Sequence, residues 1–251
     1  MENLIYFMHI AKAAGSTINN IISTQYEPEN LITHFESTLL ENVDKLKNKK
    51  FISGHPFYHI AHKVIPSFDQ YFKIAVFRKP INQLMSHIAW VRRLAEPQEI
   101  KRFKSHPKHF QDMALRLKNI DLSDHVALSS FVKNLNQHEL VTFDNFQTRY
   151  LCPKQPNTKI DQNDFANAKS MLNEFDLIGT VENLNGFLMQ LHNTMGWELP
   201  SEFISKNISK GYFGLNLKDE IQQKALYPLI HYDNKLYDIV CTINNNSKTK
   251  I

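Results

Sequence analysis

The sequence contains few cysteines and no long apolar run, and both absences narrow the classes of protein to which it can belong. Its cysteines are Cys152 and Cys241, which form no CxxC or other paired spacing. This pattern argues against a disulfide framework and favours a reducing compartment. No apolar run reaches the roughly 18 residues that a membrane span needs, and the first residues show neither a basic leader nor a small-residue cleavage site. We therefore expect a soluble, cytoplasmic protein with no transmembrane segment.

The sequence also lacks a large excess of either positive or negative charge. The chain carries 29 Lys and Arg residues against 25 Asp and Glu residues, a formal net charge of +4. Such a mild excess fits a basic pocket for an anionic ligand better than a surface that coats nucleic acid, so we expect no nucleic-acid partner. Hydrophobic residues make up 42% of the 251 residues, which is enough for a core, and the length suits one large domain over residues 1–251.

The distribution of apolar residues predicts the fold class. Four short apolar runs have the character of buried parallel strands, and longer stretches with helical spacing separate them. The runs lie at residues 4–9, 51–53, 72–77 and 177–179. Ser16-Thr17 and Pro80 mark two helix starts. This alternation predicts an α/β protein with a P-loop-like, three-layer fold, in which helices flank a central, mainly parallel sheet.

The middle and the end of the chain follow a different pattern. Residues 96–124 are polar and basic with weak periodicity, which fits either a mobile insertion over the site or a helical surface segment. Helical segments then dominate the C-terminal half, at residues 125–135, 164–175, 183–196 and 218–240. The last residues, 245–251, have the composition of a frayed tail.

The stretch "IYFMHIAKAAGST" at residues 5–17 combines the features of an anion-binding loop. A strand delivers the chain to the carboxyl edge of the sheet, small residues let the backbone approach a charged group, and a helix start offers unpaired N–H groups. Lys12 adds a full positive charge. The alternative is that Ser16 only caps the helix and Lys12 only faces solvent. The candidate ligand-binding set is Lys12, Ala13, Ala14, Gly15, Ser16 and Thr17.

A second anion motif occurs in "FKIAVFRKPINQLMSHIAWV". A buried-type strand ends at Phe77, Arg78 follows it, Pro80 opens a helix, and Ser86 lies eight residues after the arginine. Arginine offers a planar fork that suits phosphate oxygens, and serine adds a hydroxyl from one helix face. Alternatively, Arg78 is a charge at a strand end and Ser86 a helix-surface residue.

Together the two motifs resemble the PAPS-dependent sulfotransferases, in particular the carbohydrate branch that includes the heparan sulfate 2-O-sulfotransferases. "HIAKAAGST" is similar to their 5′-phosphosulfate loop, which commonly reads Pro-Lys-Thr-Ala-Gly-Thr-Ser, and departs from it at Ala11 and Ala13. The Arg78–Ser86 unit resembles their 3′-phosphate site, although Gln83 stands where a second arginine is frequent. "NFQTRYL", "FDLIGTVENLNGFLMQL" and the segment from "ISKNISKGYFG" onward extend the resemblance to most of the chain outside residues 96–124.

The resemblance implies a function and roles for several residues. It implies an enzyme that moves the sulfuryl group of PAPS to a hydroxyl of a carbohydrate or glycan-like acceptor, with no metal, and a bacterial member acting in the cytoplasm. Lys12 would stabilise the charge on the bridging oxygen, and His55, in a Gly-His context, would act as the general base. His55 as a structural residue is the alternative. The resemblance further implies a nucleotide-closing loop of Lys206, Asn207, Ser209 and Lys210.

Two other functions stay open at this point. A P-loop nucleotide kinase needs a Gly-x₄-Gly-Lys-[Ser/Thr] loop, but here a single glycine, Gly15, follows its lysine instead of preceding it. A non-catalytic protein that binds a nucleotide or a sulfated ligand would account for the departures at Ala11 and Ala13. A metal site formed by His55, His59 and His62 is not expected, because Pro56 interrupts the segment and no carboxylate or cysteine lies among them.

Overall fold

The computed structural model describes residues 3–153, 158–198 and 212–247. This part of the chain contains five strands, β1 (Ile5–Met8), β2 (Leu31–Ile32), β3 (Phe51–Gly54), β4 (Phe72–Phe77) and β5 (Leu177–Thr180). All the strand pairs are parallel, and the strand order is β2-β3-β1-β4-β5. The predicted α/β class with a parallel central sheet is confirmed, and each of the four predicted runs contains or overlaps a strand. β2 was not predicted.

The helices cover both faces of this sheet. Within the described residues they are α1 (Gly15–Ser23), α2 (Glu36–Glu41), α3 (Tyr58–Val64), α4 (Pro80–Arg93), α5 (Ile100–Ser105), α6 (Lys108–Lys118), α7 (His125–Lys133), α8 (Gln137–Phe143), α9 (Phe146–Arg149), α10 (Gln162–Met171), α11 (Leu184–Met195), α12 (Glu220–Leu226) and α13 (His231–Ser247). None of the helices so described has both the length and the apolar character to span a bilayer.

Alternate residues of the central strands pack into two separate cores, as the period of two in a strand requires. On one face, Ile5 and Phe7 of β1 pack with residues of α1 and α11. On the other face, Tyr6 and Met8 pack with residues of α3, α10 and α13. Burial on both faces explains why the strands are continuous apolar runs with no alternation in the sequence. These layers make the fold a three-layer α/β arrangement.

A third core lies outside the two sheet layers and joins α4 to α6, α7, α8 and α12. It includes part of the 96–124 segment, because Met113 and Leu117 of α6 are buried against Leu84 and Ile88 of α4. The segment is therefore helical, with α6 packed on the domain. Whether it moves over the site stays a prediction.

Two predicted features at the C-terminus differ in detail from the structure. The predicted helical stretch 218–240 is divided into α12 and α13 by a 3₁₀ turn at Tyr227–Leu229. Pro228 lies in this turn, and proline interrupts a helix because it lacks an N–H donor and clashes with the preceding turn. α13 continues to Ser247, so residues 245–247 of the predicted tail are helical, and residues 248–251 lie outside the described part.

The strand order predicts a ligand-binding crevice at the carboxyl edge of the sheet. After β1 the chain crosses toward β2, whereas after β4 it crosses to β5 on the opposite side. The strand order therefore reverses between β1 and β4, and ligands of open α/β sheets bind outside the carboxyl ends of the strands at such a point. The loops after β1 and β4 carry the two predicted anion motifs.

Candidate active site

The loop after β1 has an unusual backbone. Lys12 and Ala14 adopt left-handed conformations, with φ angles of 68° and 60°. A residue with a Cβ atom pays about 1–2 kcal/mol in this region. Strain of this kind persists where surrounding structure enforces it, and it concentrates at functional sites. The strained loop leads directly into α1 at Gly15.

The first turn of α1 offers backbone donors to the crevice. The carbonyl of Ala14 accepts hydrogen bonds from the N–H groups of Thr17 and Ile18, at 3.0 and 3.2 Å. The N–H groups of Gly15 and Ser16 precede these and have no acceptor within the helix, because a partner three or four residues earlier would lie before the helix begins. They add to the positive end of the helix dipole, which suits an anion.

The side chains of the predicted loop residues divide between the core and the crevice. Ala13 is 1% exposed and packs in the core, so only its backbone can contribute to ligand binding. Thr17 is also buried, whereas Ser16 is exposed. A Cβ atom on Gly15 would lie 1.8 Å from Nε2 of His9, so this position requires glycine.

Arg78 joins the second motif to the first. Its Nη1 donates a hydrogen bond to the carbonyl oxygen of Lys12, at 3.0 Å. The side-chain amide of Gln147 fixes the arginine backbone, accepting from the Arg78 N–H and donating to the Arg78 carbonyl, both at 2.9 Å. Gln83 donates to the carbonyl of Ala11 at 3.0 Å. The two predicted anion motifs, 66 residues apart in the sequence, are thus in direct contact.

One face of α4 continues this site. Gln83, Ser86, His87 and Trp90 have the spacing of residues on a common helix face. Gln83 contacts the loop, and Nζ of Lys12 lies 6.0 Å from the centre of the Trp90 ring. Ser86, which is 3% exposed, lies between them along the helix. His87 was not predicted from the sequence; burial, followed by the charge of Lys12, lowers its pKa to about 3.

The electrostatics of the crevice favour an anion. Burial lowers the pKa of Lys12 to about 8, and the positive charges of Arg102, Arg78 and Arg93 add to this effect. The guanidinium carbon of Arg102 lies 5.6 Å from the same Trp90 ring that Lys12 approaches. These four basic side chains therefore repel one another, and an anion bound beside Lys12 would offset that repulsion. Of these four, the sequence singled out Lys12 and Arg78.

His55 is positioned as a proton acceptor at the end of β3. Its backbone N–H donates to Oε2 of Glu36 at 3.0 Å, and its Nδ1 lies 2.7 Å from the carbonyl oxygen of His9. A carbonyl only accepts, so Nδ1 carries the proton and Nε2 keeps a lone pair. Burial lowers the pKa of His55, although Glu36 opposes the shift. A neutral imidazole with a free Nε2 can take a proton from an acceptor hydroxyl.

His55 has two histidine neighbours that sequence reasoning missed. The ring centres of His9 and His34 lie 4.1 and 5.3 Å from that of His55. Burial, then the neighbouring His55 and His34, lowers the pKa of His9 to about 2, whereas the hydrogen bond to Glu36 raises the pKa of His34. His9 follows β1 and His55 follows β3, but only the strand order shows that these strands are neighbours.

Two further predictions from the sequence concern the loop at residues 206–210 and Arg149. Lys206, Asn207, Ser209 and Lys210 lie outside the described residues. Arg149, in "NFQTRYL", is fully buried, and its Nη2 bonds the Asp144 carboxylate at 2.8 Å and the Thr158 carbonyl at 2.9 Å. These contacts give Arg149 a structural role.

Comparison with known proteins does not assign the chain to a family. The sequence matches no protein-family model, and no curated protein is significantly similar to it.

Proposed function

We propose that this protein is a sulfotransferase that moves the sulfuryl group of PAPS to a hydroxyl of a carbohydrate or glycan-like acceptor and releases adenosine 3′,5′-bisphosphate. The observation that carries the proposal is the hydrogen bond between Arg78 and the Lys12 carbonyl, which unites two anion-binding loops at the point where the strand order reverses. A ligand with two separate anionic groups, a 5′-phosphosulfate and a 3′-phosphate, matches two linked loops better than a single phosphate chain does.

Each loop has a role in this reaction. The left-handed loop and the first turn of α1 surround the phosphosulfate, and the ammonium of Lys12 approaches the oxygen that bridges sulfur and phosphorus. When the sulfur–oxygen bond breaks, negative charge grows on that oxygen, so Lys12 stabilises the transition state more than the ground state. Arg78 has four N–H donors besides the one bonded to Lys12, and in this proposal it holds the 3′-phosphate together with Ser86.

In this proposal His55 is the general base that takes the proton of the acceptor hydroxyl. The acceptor oxygen forms the new bond to sulfur, its proton passes to Nε2 of His55, and the electron pair of the broken bond stays on the bridging oxygen. The hydrogen bond from Nδ1 to the His9 carbonyl holds the imidazole in the tautomer that this transfer needs.

Nucleotide binding is the first test. Calorimetry with adenosine 3′,5′-bisphosphate is expected to show binding that is much tighter than that of 5′-AMP, which lacks the 3′-phosphate, or of Mg·ATP. Arg78→Met should weaken the bisphosphate at least tenfold, because a charge-assisted pair to phosphate is lost. Arg92→Met is the matched control, since Arg92 pairs with Glu96 at 2.8 Å. Preference for Mg·ATP over the bisphosphate would favour the kinase reading and contradict the proposal.

The role of His55 needs a separate measurement. His55→Ala is expected to bind the bisphosphate normally but to transfer sulfonate to an acceptor about 10²–10⁴-fold more slowly, as for loss of a general base. His59→Ala, an exposed histidine of α3, is the control. Transfer by His55→Ala at the wild-type rate would show that another group takes the proton. Binding by the wild type without transfer to any acceptor would favour a non-catalytic binding protein.

A further inference from the structure

Three histidines form a compact cluster beside the anion loop. One ring nitrogen from each of His9, His34 and His55 lies within 4.8 Å of the other two, and no other such group of three His, Cys, Asp or Glu residues occurs in the described parts of the chain. The residues come from the ends of β1 and β3 and from the segment before α2. The sequence-based expectation of no metal considered a different set, His55 with His59 and His62.

We propose that His9, His34 and His55 bind a divalent transition-metal ion of the Zn²⁺ type through three imidazole nitrogens and leave one coordination position open. Three histidines with an open position are a known arrangement for zinc, and nitrogen ligands exclude Mg²⁺ and Ca²⁺, which prefer oxygen.

The hydrogen bonds around two of these histidines match those of metal ligands. Nδ1 of His34 lies 3.1 Å from Oε1 of Glu36, and Nδ1 of His55 lies 2.7 Å from the His9 carbonyl. Metal-bound histidines typically donate their second nitrogen to a carboxylate or a carbonyl in this way. Glu36 also accepts from the His55 backbone through Oε2, so one carboxylate orients two ligands. Nε2 is thereby left as the coordinating atom of both residues.

His9 supplies the third nitrogen. Its Nδ1 is buried and has no hydrogen-bond partner within the described structure. The opposite edge of the ring, with Nε2 and Cδ2, occupies the space that a Cβ atom on residue 15 would take. Buried polar atoms are normally satisfied, and an ion is one of the explanations for an atom that is not. We therefore assign Nδ1 as the His9 ligand.

The backbone and the exposure of His34 complete the case. His34 adopts a left-handed conformation, with φ of 58°, and its ring centre lies 5.4 Å from that of His9 and 5.3 Å from that of His55. Its side chain is 52% exposed, whereas His9 is 5% exposed, so an ion can enter from the His34 side. In a tetrahedral zinc site the ligand nitrogens are roughly 3.3 Å apart, as Zn–N distances near 2.0–2.1 Å require. One nitrogen of each ring already lies within 4.8 Å of the other two, so these atoms would need to approach by up to about 1.5 Å.

The test is zinc binding by the full chain after treatment with a chelator and without nucleotide. Calorimetric titration and metal analysis are expected to give one Zn²⁺ per chain. With Co²⁺ in place of Zn²⁺, the protein should show the visible absorption of a four-coordinate cobalt ion bound by nitrogen ligands. His34→Ala is the main variant, because removal of this exposed ring leaves the core unchanged. We expect it to lower zinc affinity at least tenfold. His55→Ala should do the same, and His59→Ala should bind like the wild type.

The contrary results are equally clear. The proposal is overturned if the wild type binds no zinc, or if His34→Ala and His55→Ala keep its affinity and stoichiometry. A Co²⁺ spectrum of an octahedral, oxygen-coordinated ion would also overturn it.

This inference does not rest on the proposed sulfuryl transfer, but it shares His55 with it. An ion bound at Nε2 leaves that atom unable to accept a proton, so Zn²⁺ should inhibit transfer over the same concentrations at which it binds. Zinc binding without inhibition would remove His55 as the base and leave the metal site in place. If the protein transfers sulfonate but binds no zinc, the metal site is overturned and the proposed role of His55 as the base is left in place.

Discussion

At the scale of single residues, Lys12 combines a strained backbone with a perturbed charge. Its backbone is left-handed, its carbonyl oxygen accepts a hydrogen bond from Arg78, and the charges of three arginines act on its ammonium. Burial and these charges disfavour the protonated form, which lowers the pKa to about 8. An anion bound beside Lys12 attracts the protonated form and opposes this shift, so ligand binding and protonation of Lys12 should be coupled.

The first prediction follows from this coupling. At pH 7 about nine-tenths of Lys12 is charged, whereas at pH 9 only about one-tenth is, given a pKa of about 8. If the charged form binds, the affinity for adenosine 3′,5′-bisphosphate falls by up to about tenfold between pH 7 and pH 9. Calorimetry at pH 7, 8 and 9 measures this change.

Lys12→Arg is the matched control for the pH effect. Arginine stays protonated throughout this range, so the variant should show little pH dependence, whatever its absolute affinity. An equal loss of affinity in Lys12→Arg and wild type would mean that another group, or the ligand itself, titrates.

The second residue-scale prediction concerns the two alanines of the loop. Ala14 has φ of 60° and Ala13 does not have a positive φ. Ala14→Gly removes left-handed strain of about 1–2 kcal/mol and adds a backbone entropy cost of about 0.5–1 kcal/mol. We expect the free energy of unfolding in urea to rise by up to about 1 kcal/mol. Ala13→Gly adds the same entropy cost and removes a buried methyl group. We therefore expect it to lower the free energy of unfolding by about 1–2 kcal/mol. Equal destabilisation by both would contradict the left-handed assignment.

At the scale of elements, two helices close each other's N-termini behind the site. The carboxylate of Asp233 in α13 accepts from the Gln147 and Thr148 N–H groups of α9 and from the Thr148 hydroxyl, at 2.7–3.2 Å. In return, the side-chain oxygen of Asn145 accepts from the Tyr232 and Asp233 N–H groups. Because Gln147 holds the Arg78 backbone, this reciprocal capping supports the anion site.

The third prediction tests this connection. Asp233→Ala removes three hydrogen bonds and leaves buried donors unpaired, which should lower the free energy of unfolding by about 3–4 kcal/mol. Asp238→Ala, at an exposed position of the same helix, is the control and should stay within about 0.5 kcal/mol of wild type. Urea unfolding at pH 7 compares them. A small effect of Asp233→Ala would show that water can replace the carboxylate as the partner of the N–H groups of α9, and would contradict this prediction.

The elements themselves could be predicted in part. The short apolar run at residues 72–77 predicted β4 at its observed bounds, and Pro80 predicted the start of α4. β2 was missed because a two-residue strand has no periodicity to detect. The break at Pro228 was missed because the apolar spacing continues through it, although the proline was a usable signal. Reciprocal capping between α9 and α13 links residues 85–88 apart, so no local pattern could show it.

At the scale of the molecule, the strand order determines which residues meet. The central position of β1, between β3 and β4, brings His9 beside His55 on one side and Lys12 beside Arg78 on the other. The sequence identified Lys12, Arg78 and His55 separately, each at a strand end. It could not identify His9, His34, Arg93 or Arg102 as their neighbours, because that requires the order of the strands and the packing of α4 and α5.

The fourth prediction concerns the location of the ligand on the whole fold. Adenosine 3′,5′-bisphosphate should slow amide hydrogen exchange in residues 10–17 and 78–86, at the carboxyl edge of the sheet. Residues 24–30, which lie at the amino edge near Asn3 and Lys50, should be unaffected and serve as the internal control. Protection at the amino edge alone would place the ligand site on the wrong side of the sheet.

The most direct test of the central claim is sulfuryl transfer itself. Wild-type protein and Lys12→Ala are incubated with PAPS and a panel of glycan acceptors, and mass spectrometry follows the addition of SO₃ to each acceptor and the release of adenosine 3′,5′-bisphosphate. We predict that the wild type sulfonates at least one acceptor and that Lys12→Ala loses most of this turnover while PAPS is still bound. If Lys12→Ala transfers sulfonate as fast as the wild type, or if the wild type neither transfers nor hydrolyses bound PAPS, the proposed function is wrong.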